Sequence, residues 1–114
     1  MDVVKRGEVW VAFFDPAIGA EIKKTRPCVV LSPSAMHKRV QTVIVVPLTS
    51  SATCRYGVPV TYAGRQGVMQ LSHLKSLDRT RLFRRTGTMS RHMVRDAMAR
   101  LRDVFSEEPD EAVD

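Results

Sequence analysis

Val43-Ile44-Val45-Val46 constrains this 114-residue chain more than any other stretch. Four consecutive β-branched residues leave no polar position to face water, so they predict a strand buried on both faces. Such a strand needs neighbours along its edges and apolar material above and below it. The rest of the sequence supplies both. Glu8 to Phe14 reads as a strand of aromatic and β-branched residues that Asp15-Pro16 stops, and Ala17 to Thr25 is a loop. Arg26 precedes a proline and is therefore pushed to an extended backbone, which suits the entrance to a strand over Pro27 to Ser32. The β-branched run lies in a third strand, Gln41 to Leu48.

Further short strands are expected at Val58 to Tyr62, Val68 to Leu71, Leu74 to Leu77 and Arg84 to Met89. The first of these carries a proline and reads as an edge strand. Ser34 to Arg39 suggests a short helical turn, Ser50 to Gly57 a polar loop, and Ala63 to Gly67 a turn. Short strands at close spacing predict a small β-barrel or a strongly curved sheet. The C-terminal part changes period. Met93, Val94, Ala97, Met98, Leu101, Val104 and Phe105 recur at helical spacing behind Ser90, a natural N-cap. The expected architecture is mainly β with one C-terminal helix. Residues 1–105 would form one domain and 106–114 an acidic, disordered tail.

Charge is unevenly placed. The formal net charge is +6, yet all eighteen Lys and Arg lie at or before Arg102 and six of twelve acids at or beyond Asp103. Residues 1–102 therefore carry eighteen positive against six negative charges, a net +12. A body so basic suits an anionic partner, most simply the phosphates of nucleic acid. Cys28 and Cys54 do not make a disulfide framework, and no run approaches a membrane span or a leader, so a reduced cytoplasm is the expected compartment. His37, His73 and His92 are scattered, without the clustering a metal site requires, and neither metal nor cofactor is expected. His37 and His92 have no evident partner and read as exposed. Trp10 and Phe13 read as core or dimer-interface aromatics, Met93 and Met98 as core.

Two motifs carry candidate chemistry. Lys24-Thr25-Arg26-Pro27 runs into Cys28-Val29-Val30-Leu31, and Val43-Ile44-Val45-Val46 ends in Pro47-Leu48-Thr49-Ser50. An arginine entering one strand and a threonine leaving the next meet at the same end of an antiparallel pair. There they offer a fork of donors and a hydroxyl to an anion. The plainer alternative is a surface ion pair for Arg26, for instance with Glu21, and a strand terminator in Thr49.

Taken with Arg6-Gly7-Glu8-Val9-Trp10, the loop Asp15-Pro16-x-x-Gly19-x-Glu21 and the segment Gln70 to Leu82, this order resembles the MazF/PemK family of toxin endoribonucleases, from about Lys5 to Phe105. The resemblance implies an SH3-like barrel and metal-independent cleavage of single-stranded mRNA at a short sequence. It also implies a homodimer and a cognate antitoxin with an acidic disordered segment. Arg26 and Thr49 stand where the family has catalytic residues. His73 stands where glutamine is common, as a candidate base or as a substitute for the amide. Ser72 replaces an aspartate, Gln70 an arginine and Ala20 a histidine that some members use. Lys23, Lys24, Thr25, Ser50, Gln70, Lys75 and Arg79 are the expected RNA contacts. Two rivals remain at this stage: a non-catalytic gyrase inhibitor of the CcdB type, and a plain RNA-binding module.

Overall fold

The fold is built around one long strand. In the computed structural model, which describes residues 3–14, 25–50 and 56–108, β3 (Thr42–Thr49) is paired on one side by β2 (Thr25–Val30). Its other side is shared. Thr42 to Val45 pair with β6 (Lys75–Asp78), and Leu48 and Thr49 pair with β5 (Arg65–Gln70). Beyond β2 the sheet continues through β1 (Glu8–Phe13) to β7 (Leu82–Thr88), and beyond β5 it ends in β4 (Gly57–Tyr62). Every pairing is antiparallel. The expected barrel is thus a curled half-barrel sheet, with β4 and β7 as its two ends. Pro59 lies in the edge strand β4, where a missing N–H is tolerated.

Both faces of β3 are buried, as the β-branched run predicts. Val46 and Leu48 join Val29, Val58, Met69 and the helical Val94, Ala97 and Leu101 in one apolar cluster. Val43 and Val45 join Ala12, Phe14, Cys28, Val30 and Leu77 in a second on the opposite face. The helix α1 (Arg91–Val104) covers the first cluster, and Ser90 Oγ accepts from the Met93 N–H at 3.2 Å to cap it. Met93 and Met98 pack against that cluster partly buried. Burial pushes the Cys28 thiol up to about 12, so it stays an unreactive thiol at neutral pH. No helix among the described residues is long and apolar enough to cross a membrane. The acidic tail beyond Glu108 lies outside the described residues.

Three local expectations need correction. The turn between β4 and β5 is not Ala63 to Gly67 but Ala63-Gly64 alone, both at positive φ (48° and 73°), with Tyr62 paired to Arg65. That is the two-residue hairpin geometry whose twist matches the strands. Gly67 instead lies inside β5, where an added Cβ would sit 3.0 Å from the Tyr62 ring and 3.3 Å from the Thr49 carbonyl. Phe13, expected in the core or at a dimer interface, is 47% exposed and so not in the core, whereas Trp10 packs partly buried against the second cluster.

His37 is the third. Only 2% exposed, it sits in the 3-10 turn Met36–Lys38. Its Nδ1 donates to the Val4 carbonyl at 2.6 Å, which fixes the tautomer. Its Nε2 then accepts from the Ser32 hydroxyl at 2.6 Å, and that hydroxyl accepts from the Ile44 N–H at 2.9 Å. The imidazole buckles the N-terminal segment to β3 through a chain of satisfied bonds. His92 is exposed, as expected. Replacing His37→Ala leaves a cavity and two buried groups without partners, and it should lower stability by about 2–4 kcal/mol. Urea unfolding of both proteins measures this, and a midpoint within error of wild type would refute the buckle.

Candidate active site

Arg26 is the second residue of β2, held extended by Pro27. The β2–β3 ladder pairs Cys28 with Pro47, Val29 with Val46 and Val30 with Val45. Continued two residues along each strand, this register sets Arg26 opposite Thr49. On the other side Arg26 faces Ala12 of β1, a small buried residue that does not crowd it. The Arg26 side chain is exposed, and none of the described residues gives its guanidinium a hydrogen bond or an ion pair.

Alternation along the strands then decides what shares this face. In β2 it is Arg26, Cys28 and Val30, and in β3 Val45, Pro47 and Thr49. Lys75 pairs with Val45, and Val68 with Thr49, so Lys75 and Gln70 belong to the same face. The second apolar cluster thus ends in a polar rim of Arg26, Thr49, Gln70 and Lys75. His73 joins it from the 3-10 turn Leu71–His73 that links β5 to β6. Gln70 Oε1 and His73 Nδ1 are buried without a hydrogen-bond partner among the described residues. Each such atom typically costs about 1–3 kcal/mol, so the protein tolerates two unmet hydrogen-bonding positions at the rim.

The described carboxylates are distributed away from the Arg26–Thr49 pair. Among the described carboxylates, Glu8 and Asp78 lie at the far ends of β1 and β3, and Asp96, Asp103, Glu107 and Glu108 are on or beyond the helix. Glu8 is spoken for. It accepts from the Lys5 N–H and Trp10 Nε1, both at 3.1 Å, and from Arg85 Nη1 at 3.2 Å. Sequence reasoning missed this buried carboxylate, since Arg6-Gly7-Glu8 looks like any polar strand entrance.

Not every expected residue joins the rim. Thr25 pairs with Phe13 and lies on the opposite face, and Ser50 is exposed just past β3. Arg79 is at the Thr42 end of β3, about 23 Å along the strand from Thr49. There its guanidinium donates to the His37 carbonyl at 3.0 Å and to Gln41 Oε1 at 3.2 Å. Lys23 and Lys24 lie outside the described residues, as does Glu21.

Asp78, in the segment Gln70 to Leu82, has a local task. It caps the 3-10 turn Arg79–Arg81, accepting from Thr80 Oγ1 at 2.7 Å and from the Thr80 N–H at 2.9 Å. The Thr80 hydroxyl, then its N–H, hold the Asp78 carboxyl below its ordinary value. A depressed pKa means that the stabilisation is present above the ordinary carboxylate range and is lost as pH falls through the folded value. In an NMR titration Thr80→Val should move Asp78 back up towards that ordinary range. An unmoved titration would mean the hydroxyl is not its main partner.

A small curled β-sheet with one covering helix presents a free arginine across from a strand-terminal threonine, a pair of groups that can hold an anion. Comparison with known proteins identifies the family. Residues 5–105 match the family of PemK-like, MazF-like toxins of type II toxin–antitoxin systems, and the chain belongs to that family. The endoribonuclease PemK of Escherichia coli is 30% identical over 81 residues, 66% of this chain, and the chain spans 61% of that relative's length. MazF of Deinococcus radiodurans superposes with a TM-score of 0.81 at 26% identity, over 91% of this chain and 97% of that one. A mycobacterial endoribonuclease solved with its cognate antitoxin shares the fold, with a TM-score of 0.75 at 16% identity over 96% of this chain and all of that one.

Proposed function

We propose that this toxin is an endoribonuclease that cleaves single-stranded mRNA through the RNA's own 2′-hydroxyl. The observation that carries the reading is the Arg26 guanidinium, unpaired among the described residues and in register with Thr49. In this reaction the 2′-oxygen attacks the adjacent phosphorus and the bond to the 5′-oxygen breaks. The 2′-proton leaves to a base and a proton is delivered to the departing oxygen. The products are a 2′,3′-cyclic phosphate and a 5′-hydroxyl.

Negative charge builds on the phosphoryl oxygens in the transition state. A guanidinium forked onto two of those oxygens stabilises that charge and cannot serve as the base. Thr49 adds a hydroxyl at the same phosphate, and Lys75 a second cation on the same face. His73 turns Nδ1 into the protein, so only Nε2 is placed to meet a substrate. His73→Gln keeps a hydrogen-bonding group and removes the proton acceptor: a base requires loss of most activity, an amide-like contact almost none. The homologous PemK and the relatives solved with antitoxins support the same reading. On it, an acidic antitoxin segment meets the basic rim and the working unit is a homodimer.

Arg26→Ala and Thr49→Ala should each slow cleavage of a long RNA by about 10²-fold or more with unchanged melting temperature. Cleavage should persist in EDTA and leave 5′-hydroxyl ends. Full activity in folded Arg26→Ala, a strict need for Mg²⁺, or intact RNA with wild-type protein would each overturn the assignment.

A further inference from the structure

The β1–β7 ladder contains an irregularity with a consequence for substrate binding. Val11 pairs with Arg84 and Ala12 with Leu82, so Phe83 is an extra residue in the edge strand β7. A bulge of this kind bends an edge strand and re-aims a side chain. Here it sends Phe83 outward to meet Phe13, with ring centroids 4.8 Å apart and planes inclined by 35°. The two residues are 49% and 47% exposed, so a tilted aromatic pair stands in water.

Its surroundings are cationic. Residues 79–95 contain six arginines and no acid. Two of the six are engaged elsewhere, Arg79 with His37 and Gln41, and Arg85 with Glu8. Arg81 Nη1 reaches the Phe13 carbonyl at 3.4 Å. Arg84, in register with Val11 and therefore on the Phe13 face, is exposed and has no partner among the described residues. Phe13 itself pairs with Thr25, the residue before Arg26. The aromatic pair and the Arg26–Thr49 pair thus occupy the same end of the β1–β2 ladder, on opposite faces.

We propose that Phe13 and Phe83 form a stacking platform for an unpaired base flanking the cleavage point, with Arg84 taking an adjoining phosphate. The inference rests on the ribonuclease reading and adds a position to it. Exposed π-faces beside a free guanidinium match the chemistry of single-stranded nucleic acid, in which each base offers a flat face and each linkage a charge. An acidic peptide would use the arginine but would leave the ring faces in water.

The test replaces the rings without removing their apolar bulk. Phe13→Leu and Phe83→Leu should raise KM for a long single-stranded oligonucleotide about tenfold, with kcat unchanged. A dinucleotide, too short to reach the platform, should be cut as by wild type. Phe83→Trp should keep wild-type KM, and Arg84→Gln should make the salt dependence of binding shallower by about 0.7 in log–log slope. Wild-type KM in both leucine variants overturns the platform, as does an equal loss on the dinucleotide, which would mean a structural role. Loss of binding confined to a polyglutamate probe overturns it in favour of an acidic protein partner. Equilibrium binding of a 2′-deoxy-substituted oligonucleotide, which cannot be cut, separates the two levels. Unchanged affinity in the leucine variants sinks the platform alone, whereas intact RNA with wild-type protein sinks the ribonuclease reading.

Discussion

Burial of β3 on both faces is the constraint on which the rest depends. A strand with apolar side chains up and down cannot lie on a surface, so the chain must supply two layers to cover it. One is the helix with β4 and β5. The other is the inward face of β1, β2 and β6, closed by Phe14 and Leu77. Each fully buried valine or leucine contributes roughly 1.5–3 kcal/mol, an upper estimate against an extended unfolded chain. Val43, Val45, Val46 and Leu48 together therefore outweigh any polar contact in the structure. Because β3 is fixed at both ends and along both edges, its last residue is fixed too. Thr49 inherits a position that no loop would give it.

That arrangement explains how much was legible beforehand. Strand existence followed from composition, because β-branched runs fit only buried, pleated surfaces. Pairing of Arg26 with Thr49 followed from their places at the entrance of β2 and the exit of β3. Strand order was not legible, since β3 exchanges β6 for β5 partway along, and nothing in Val45-Val46-Pro47-Leu48 announces that change of neighbour. Gly67 was read as part of a turn because glycine usually marks one, yet here it makes room for the Tyr62 ring and the Thr49 carbonyl. His37 was illegible for a different reason. Its partners are a backbone carbonyl 33 residues away and a serine across Pro33, and neither leaves a sequence signature.

Arg79 shows how a motif can overstate a site. It follows Asp78 in the segment that resembles the family pattern, so it reads as one more RNA contact. The β3–β6 register puts it at the opposite end of β3, where it ties the 3-10 turn after β6 to the residues before β3. Proximity in sequence to Lys75 misleads because a strand advances about 3.3 Å per residue. Lys75 and Arg79 therefore part company within four residues. Glu8 makes the complementary point: a strand-entrance acid that looks solvated collects three donors and anchors β1 to β7 through Arg85.

The satisfied polar clusters and the proposed site are kept apart in space. The satisfied polar clusters, His37 with Ser32 and Val4, Glu8 with Trp10 and Arg85, and Arg79 with Gln41, all lie away from the Arg26 rim. Among the described residues, by contrast, the two buried side-chain atoms without a partner, Gln70 Oε1 and His73 Nδ1, lie at the rim with the exposed Arg26 guanidinium. An exposed cation without a partner costs little, because water solvates it and a surface ion pair would return less than about 1 kcal/mol. Buried polar atoms are more expensive to leave unmet, so the doubly buried frame is what allows Gln70 and His73 to wait unpaired among the described residues. An exposed guanidinium that no described group pairs can gain on meeting a phosphate what it forgoes in isolation. The frame carries the stability, and the proposed site draws on groups that the frame does not use.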